Sequence, residues 1–259
     1  MRRLLWTMLA AASLFAGCRE DSPPITNAEP PPDAGCVAVE VSRRYQVYFV
    51  IDVSGSMGPF LSDLADSLTA FAESFPERDD QDQRVLVEYY VVAFVNDVKW
   101  FPEATPRMTS VIAVQAAIQE AITAGSNGQN LQQRSANAEV DENLLDALAA
   151  VVASNPDPDA TKMILLATDA NFREAPDTFS LNIPVQSTFG TILSDLTDLG
   201  AQVHAFTPGG LDGLTRTYRD QPALTTLPGS TVNDLNELGE AQAALSERLV
   251  VIAQGSTCQ

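Results

Sequence analysis

Three oxygen-bearing side chains stand at alternate positions in Asp52-Val53-Ser54-Gly55-Ser56, directly after an unbroken apolar run at 47–51. Such a run marks a strand buried on both faces. One carboxylate and two hydroxyls on the turn leaving that strand aim three hard oxygens at one spot. Oxygens of this kind suit Mg²⁺, Mn²⁺ or Ca²⁺, not soft metals. A second apolar run, 163–167, ends similarly in Thr168-Asp169-Ala170. With the two strands parallel and adjacent, Asp169 lies beside Asp52. The same residues also have plainer readings. Ser54 and Ser56 are good helix caps over a hydrogen-bonded Asp52, and Asp169 is a good turn former.

The elements that must position these residues alternate along the chain. Leu61, Leu64, Leu68, Phe71 and Phe75 recur at helical spacing, and Pro76 with the polar run 77–83 ends that helix. Residues 85–95 read as a second strand, and 98–101, after a turn at Asn96-Asp97, as a short edge strand. Val111, Val114, Ile118 and Ile122 predict a helix over 109–123, capped by Thr109 or Ser110. Residues 125–139 are a polar loop without period. A helix at 143–153, the strand 163–167, a helix at 188–199 ending at Gly200 and a strand at 202–206 follow. A short last strand at 230–232 and a final helix over 234–253 complete the pattern. This alternation predicts an α/β fold: a doubly wound, mostly parallel central sheet, helices on both faces, and one short antiparallel edge strand. Ligands of such sheets bind beyond the carboxyl ends of the strands, at the topological switch point.

Composition narrows the partners. Lys+Arg is 15 against 34 Asp+Glu, a formal charge of −19. Such a surface repels nucleic acid and anionic headgroups and leaves cations and protein partners. A single His and three Cys disfavour His-based catalysis and Cys/His zinc sites. A serine hydrolase would need Ser56 as nucleophile and His204 as its sole base. However, Ser54 stands where a nucleophile elbow has Gly, and His204 lies inside a strand pattern, where a core histidine is expected.

At the start of the chain, Arg2 and Arg3 precede an apolar stretch at 4–16, then Gly17 and Cys18. This reads as a secretory signal, too short to span a membrane. Residues 19–35 carry Pro23, Pro24, Pro30, Pro31 and Pro32 and read as a semi-extended tether. Export implies an oxidising compartment. There, Cys36 and Cys258, which flank the whole patterned region, are expected to close the domain as a disulfide. The chain-entropy model gives such a loop roughly 5 kcal/mol. Two free thiols are the alternative.

Phe15-Ala16-Gly17-Cys18 resembles the lipobox of bacterial lipoproteins, with Phe15 in place of the usual Leu. The resemblance implies cleavage before Cys18, acylation of its thiol, and membrane contact through the lipid alone. With Arg19 after the Cys, it implies the outer membrane of a Gram-negative cell envelope. The expected organisation is a signal peptide at 1–17, a tether at 18–42, a domain at 43–254 and a tail at 255–259 carrying Cys258.

The pair of strand-end motifs resembles the von Willebrand factor type A domain and its metal-ion-dependent adhesion site. The resemblance covers about residues 43–254. It places the family's DxSxS on Asp52, Ser54 and Ser56 and its second acidic residue on Asp169. The family's usual Thr before the third helix has no counterpart. Instead, the segment Val140-Asp141-Glu142-Asn143-Leu144-Leu145-Asp146 looks like the integrin β-subunit variant, which places Glu142 on the metal, with Asp141 as fallback. Glu142 also reads as ordinary first-turn helix charge. Ala170 stands where the family prefers Gly. The resemblance implies one divalent cation, Mg²⁺ first, with Ca²⁺ or Mn²⁺ as alternatives. Three carboxylates favour tight metal binding and make Ca²⁺ more plausible. A protein or other ligand presenting an acidic group completes the shell, and no reaction is catalysed. The alternative is a structural envelope or secretion-assembly lipoprotein whose metal only stabilises the fold.

Overall fold

Tyr45, Val47, Phe49 and Ile51 are buried in one apolar cluster, while Tyr48 and Val50 are buried in another across the sheet. Burial on both sides is what a continuous apolar run achieves, and it puts this strand at the centre of the sheet. The computed structural model describes residues 42–79, 81–127, 141–179, 183–235 and 250–252. All of them belong to one compact unit, Glu40–Gln259. The expectations for Cys18, the tether, Cys36 and Cys258 lie outside the described residues. Among the described residues no helix is long and apolar enough to cross a membrane.

In chain order the elements are β1 (Ser42–Asp52), α1 (Gly58–Glu73), β2 (Arg84–Phe94), β3 (Val98–Phe101), α2 (Val111–Asn127) and β4 (Asp141–Glu142). There follow α3 (Leu144–Ala153), β5 (Thr161–Ala167), β6 (Asn171–Phe172), β7 (Thr178–Phe179) and β8 (Ile183–Pro184). The described part closes with α4 (Phe189–Asp198), β9 (Gln202–Thr207) and β10 (Thr231–Asp234). The main sheet has six strands in the order β10-β9-β5-β1-β2-β3. All its pairings are parallel except β2 with β3, the antiparallel edge that the sequence predicts. Leu61, Phe71, Val114 and Ile118 of α1 and α2 pack on one face; Leu145, Leu148, Ile192 and Leu196 of α3 and α4 pack on the other. From β1 the chain first builds outward through β2, then returns to lay β5 on β1's other side. The switch point therefore falls between the carboxyl ends of β1 and β5.

Several expected boundaries move. β1 begins at Ser42, five residues before the apolar run. The ladder continues through Arg43 and Arg44, opposite Val85 and Leu86, and their head groups reach Asp79 and Asp157. α2 runs past Thr123 to Asn127, so residues 125–127 of the expected loop are helical. Ala121 and Ala124 are buried there, which holds the extra turn against the core. Residues 128–139 of that loop lie outside the described residues. Asp234 ends β10, paired with Thr207, instead of opening the final helix. Of that helix only Leu235 and residues 250–252 are described, and both parts are helical. The segment 171–187, which lies between the expected strand 163–167 and the expected helix 188–199, contains β6 and the short antiparallel pair β7–β8.

Candidate metal centre

Asp52 is the last residue of β1, opposite Phe94, and Val53 continues the ladder by donating to Phe94 O at 3.1 Å. The chain then turns: Met57 N donates to Ser54 O at 3.2 Å, and α1 starts at Gly58 with a proline in its first turn. This turn folds three of the candidate side chains together. Ser54 N–H donates to Asp52 Oδ1 at 2.8 Å, and the Ser54 and Ser56 hydroxyls lie 3.1 Å apart.

β5 brings the remaining pieces from the neighbouring strand. Thr168 extends it, its N–H donating to Phe206 O at 3.1 Å, and its hydroxyl donates to Asp52 Oδ2 at 2.8 Å. The same hydroxyl accepts the Ala170 N–H at 3.1 Å, which turns the chain and presents Asp169. Ser56 Oγ then donates to Asp169 Oδ1 at 3.0 Å, across 113 residues of sequence. Asp52, Ser54, Ser56 and Asp169 therefore form one connected cluster over the switch point. It grades outward from fully buried Asp52 and Thr168 to half-buried Asp169 and exposed Ser56. Ala170 has no positive φ, so the position does not need the glycine that the family prefers.

The electrostatics of the cluster suit a cation. Burial pushes the Asp52 carboxyl up to about 6; hydrogen bonds from Ser54 and Thr168 pull it back, and the Asp169 charge adds to the rise. A buried carboxylate with a second one nearby is stabilised by a divalent ion placed between them. The donor set consists of carboxylate and hydroxyl oxygens, with no thiol or imidazole, and fits Mg²⁺, Mn²⁺ or Ca²⁺.

Glu142 is placed at the same end of the sheet but is not gathered into a group of three acidic side chains. β4 lies parallel to β6 with Glu142 opposite Phe172, three residues beyond Asp169. Asn143 N–H donates to Val95 O at 2.7 Å and its Nδ2 to Asn96 O at 3.1 Å, tying this segment to the end of β2. Glu142 is buried, and the Asp141 carboxylate lies 3.8 Å from Arg173 Nε. Among the described residues no three His, Cys, Asp or Glu side chains converge into a group able to hold an ion. Among the described residues, the carboxylates linked through the Ser54 and Ser56 bonds are those of Asp52 and Asp169.

The hydrolase arrangement is not assembled. Ser56 Oγ is bonded to Asp169, while His204 is buried in β9 with Nδ1 3.0 Å from Thr231 Oγ1. Sequence reading assigned Thr168 no role. A hydroxyl residue between a buried strand and an acidic residue is the signal for a side chain that bonds its own turn, and it was there to be read.

No protein-family model matches the chain, and no curated protein matches it. Among solved structures it is similar to proximal thread matrix protein 1 from the mussel byssus: TM-score 0.50 and 16% identity, over 83% of this chain and 48% of that one. A form of the same mussel protein with a zinc-occupied MIDAS motif matches with TM-score 0.48 and 16% identity, over 83% of this chain and 49% of that one. A von Willebrand factor type A structure from Catenulispora acidiphila gives 0.48 and 16%, over 83% and 43%. The chain thus spans about half the length of the structures it matches. The likeness is one of fold alone: α/β, with a mostly parallel six-stranded sheet and one antiparallel edge strand.

Proposed function

We propose that this chain is a divalent-metal-dependent binding module, exported and held at the cell envelope by a lipid on Cys18. Asp52, Ser54, Ser56 and Asp169 hold the ion. Glu142, at the same sheet end, is the acidic residue available as a further ligand, with Asp141 as its fallback. The ion supplies a positive charge at the outer rim of the cluster, and an acidic group of a protein partner completes its shell. The chain's own residues orient the ligands and keep Asp52 dry; they carry out no reaction. Cys36 and Cys258 close the domain as a disulfide, and the proline-rich stretch before it spaces the domain from the membrane. The observation that carries this reading is the meeting of the Asp52–Ser56 turn with Asp169 across β1 and β5.

The test is a thermal melt of the wild type and Asp52→Asn with Mg²⁺, Mn²⁺ and Ca²⁺. An ion at one hundred times its Kd stabilises by about 2.7 kcal/mol. For a domain of this size that is a rise in Tm of roughly 5–10 °C. The wild type is expected to show the rise and Asp52→Asn to show none. Without metal, Asp52→Asn is expected to melt no lower than the wild type, because it removes a buried charge. Equal metal responses of the two proteins would remove the reading.

A further inference from the structure

The last turns of α2 press on the backbone of the metal-binding turn. A Cβ built on Gly125 would lie 2.5 Å from Val53 O and 2.7 Å from both Val53 Cβ and Val53 Cγ2. Atoms in a packed interior do not come this close, and a main-chain carbonyl cannot swing away as a side-chain tip can. Val53 has little room to retreat. Its N–H is bonded to Phe94 O at 3.1 Å, and its side chain is buried in the core. Gly125 is not among the residues with positive φ, so backbone freedom does not explain it. Glycine weakens a helix interior relative to alanine, and here the close approach is what it gains.

We infer that Gly125 is a positioning residue for the metal centre: lacking a side chain, it lets α2 brace the turn that carries Asp52, Ser54 and Ser56. The inference rests on the proposed metal-binding reading for its consequence, but the brace itself is a property of the ion-free protein. A side chain at this position pushes the helix off the turn or the turn off β1. Either way the Asp52 and Ser56 oxygens lose their common focus on Asp169.

The experiment compares amide hydrogen exchange and Mg²⁺ titration in the wild type, Gly125→Ala and Gly58→Ala. Gly58 begins α1 just beyond Ser56, and a Cβ there meets nothing within 4 Å, so it controls for the same change in open space. In the ion-free protein, Gly125→Ala is expected to speed exchange at the Val53 and Ser54 amides about tenfold or more while the β1 and β5 amides stay protected. Its Mg²⁺ affinity is expected to fall roughly tenfold or more. Gly58→Ala is expected to change neither. Unchanged exchange at Val53 and Ser54 in Gly125→Ala overturns the inference. So does protection lost evenly through β1, β2 and β5, which is loss of fold instead of loss of a brace. If the wild type takes up no ion while the local exchange still rises, the brace stands and the metal reading falls.

Discussion

Thr168 shows how much one hydroxyl can organise. It donates to Asp52 Oδ2 at 2.8 Å and accepts the Ala170 N–H at 3.1 Å, so it orients one acidic residue while shaping the turn that presents the other. Both Thr168 and Asp52 are fully buried, so no water replaces a lost partner. Thr168→Val keeps the shape and removes the hydrogen bonds. It is expected to cost about 1–3 kcal/mol in a urea titration and to weaken ion binding roughly tenfold. Wild-type values for both would mean that Thr168 does not hold Asp52. At this scale the motif DxSxS was legible because its three oxygens lie within five residues of one another. Only half of Thr168's role has a local signal: its bond to its own turn is marked by its place between strand and acidic residue, but its acceptor Asp52 lies 116 positions away, and no local pattern marks that pairing.

Between the candidate metal centre and α4, a single carboxylate ties three segments. Glu174 Oε2 accepts the Phe189 N–H at 3.2 Å at the start of α4, and Oε1 accepts the Tyr218 hydroxyl at 3.2 Å and pairs with Arg219. Phe172 and Phe189 stack with ring centroids 5.5 Å apart, and Tyr218 meets both edge-on at 5.1 and 5.3 Å. The Arg219 pair contributes little, because that side chain is 71% exposed. The bonds to the helix start and to Tyr218 matter more, since a carboxylate at a helix N-terminus also meets the favourable end of its dipole. Glu174→Ala is expected to lose about 1–3 kcal/mol. The loss should show as faster amide exchange at Phe189 and in 171–176 ahead of the central strands. Uniform loss, or none, would contradict the role. α4 itself was readable as a helix ending at Gly200, because such a stop is a local signal, and the structure adds its cap, the Thr188 hydroxyl accepting the Thr191 N–H. The β6–β8 segment and the extra turn of α2 were not, because both exist by virtue of what they rest on.

For the molecule as a whole, His204 sets a pH dependence of stability. Burial in β9 pushes its pKa down from 6.5 to about 4, and among the described residues Nε2 has no hydrogen-bond partner. The folded state therefore binds fewer protons than the unfolded chain between these values. Stability from this group is complete above about pH 6.5 and falls as pH drops toward 4, by up to roughly 3 kcal/mol. Urea midpoints at pH 7 and 4.5 are expected to differ less in His204→Gln than in the wild type. An equal drop in both would show that other groups carry the acid sensitivity. By itself the sequence determined the α/β alternation, the antiparallel edge at Val98–Phe101 and the residues able to offer hard oxygens. Periodicity and turn chemistry are set by neighbours a few positions apart, so they survive in one dimension. Tertiary structure alone decided that β5 lies on β1, that Asp169 therefore meets Ser56, that β4 lies along β6 with Glu142 opposite Phe172, and that Gly125 must be bare against Val53. Each of these depends on which distant surfaces pack together, and packing is a property of the three-dimensional core that no stretch of residues carries alone.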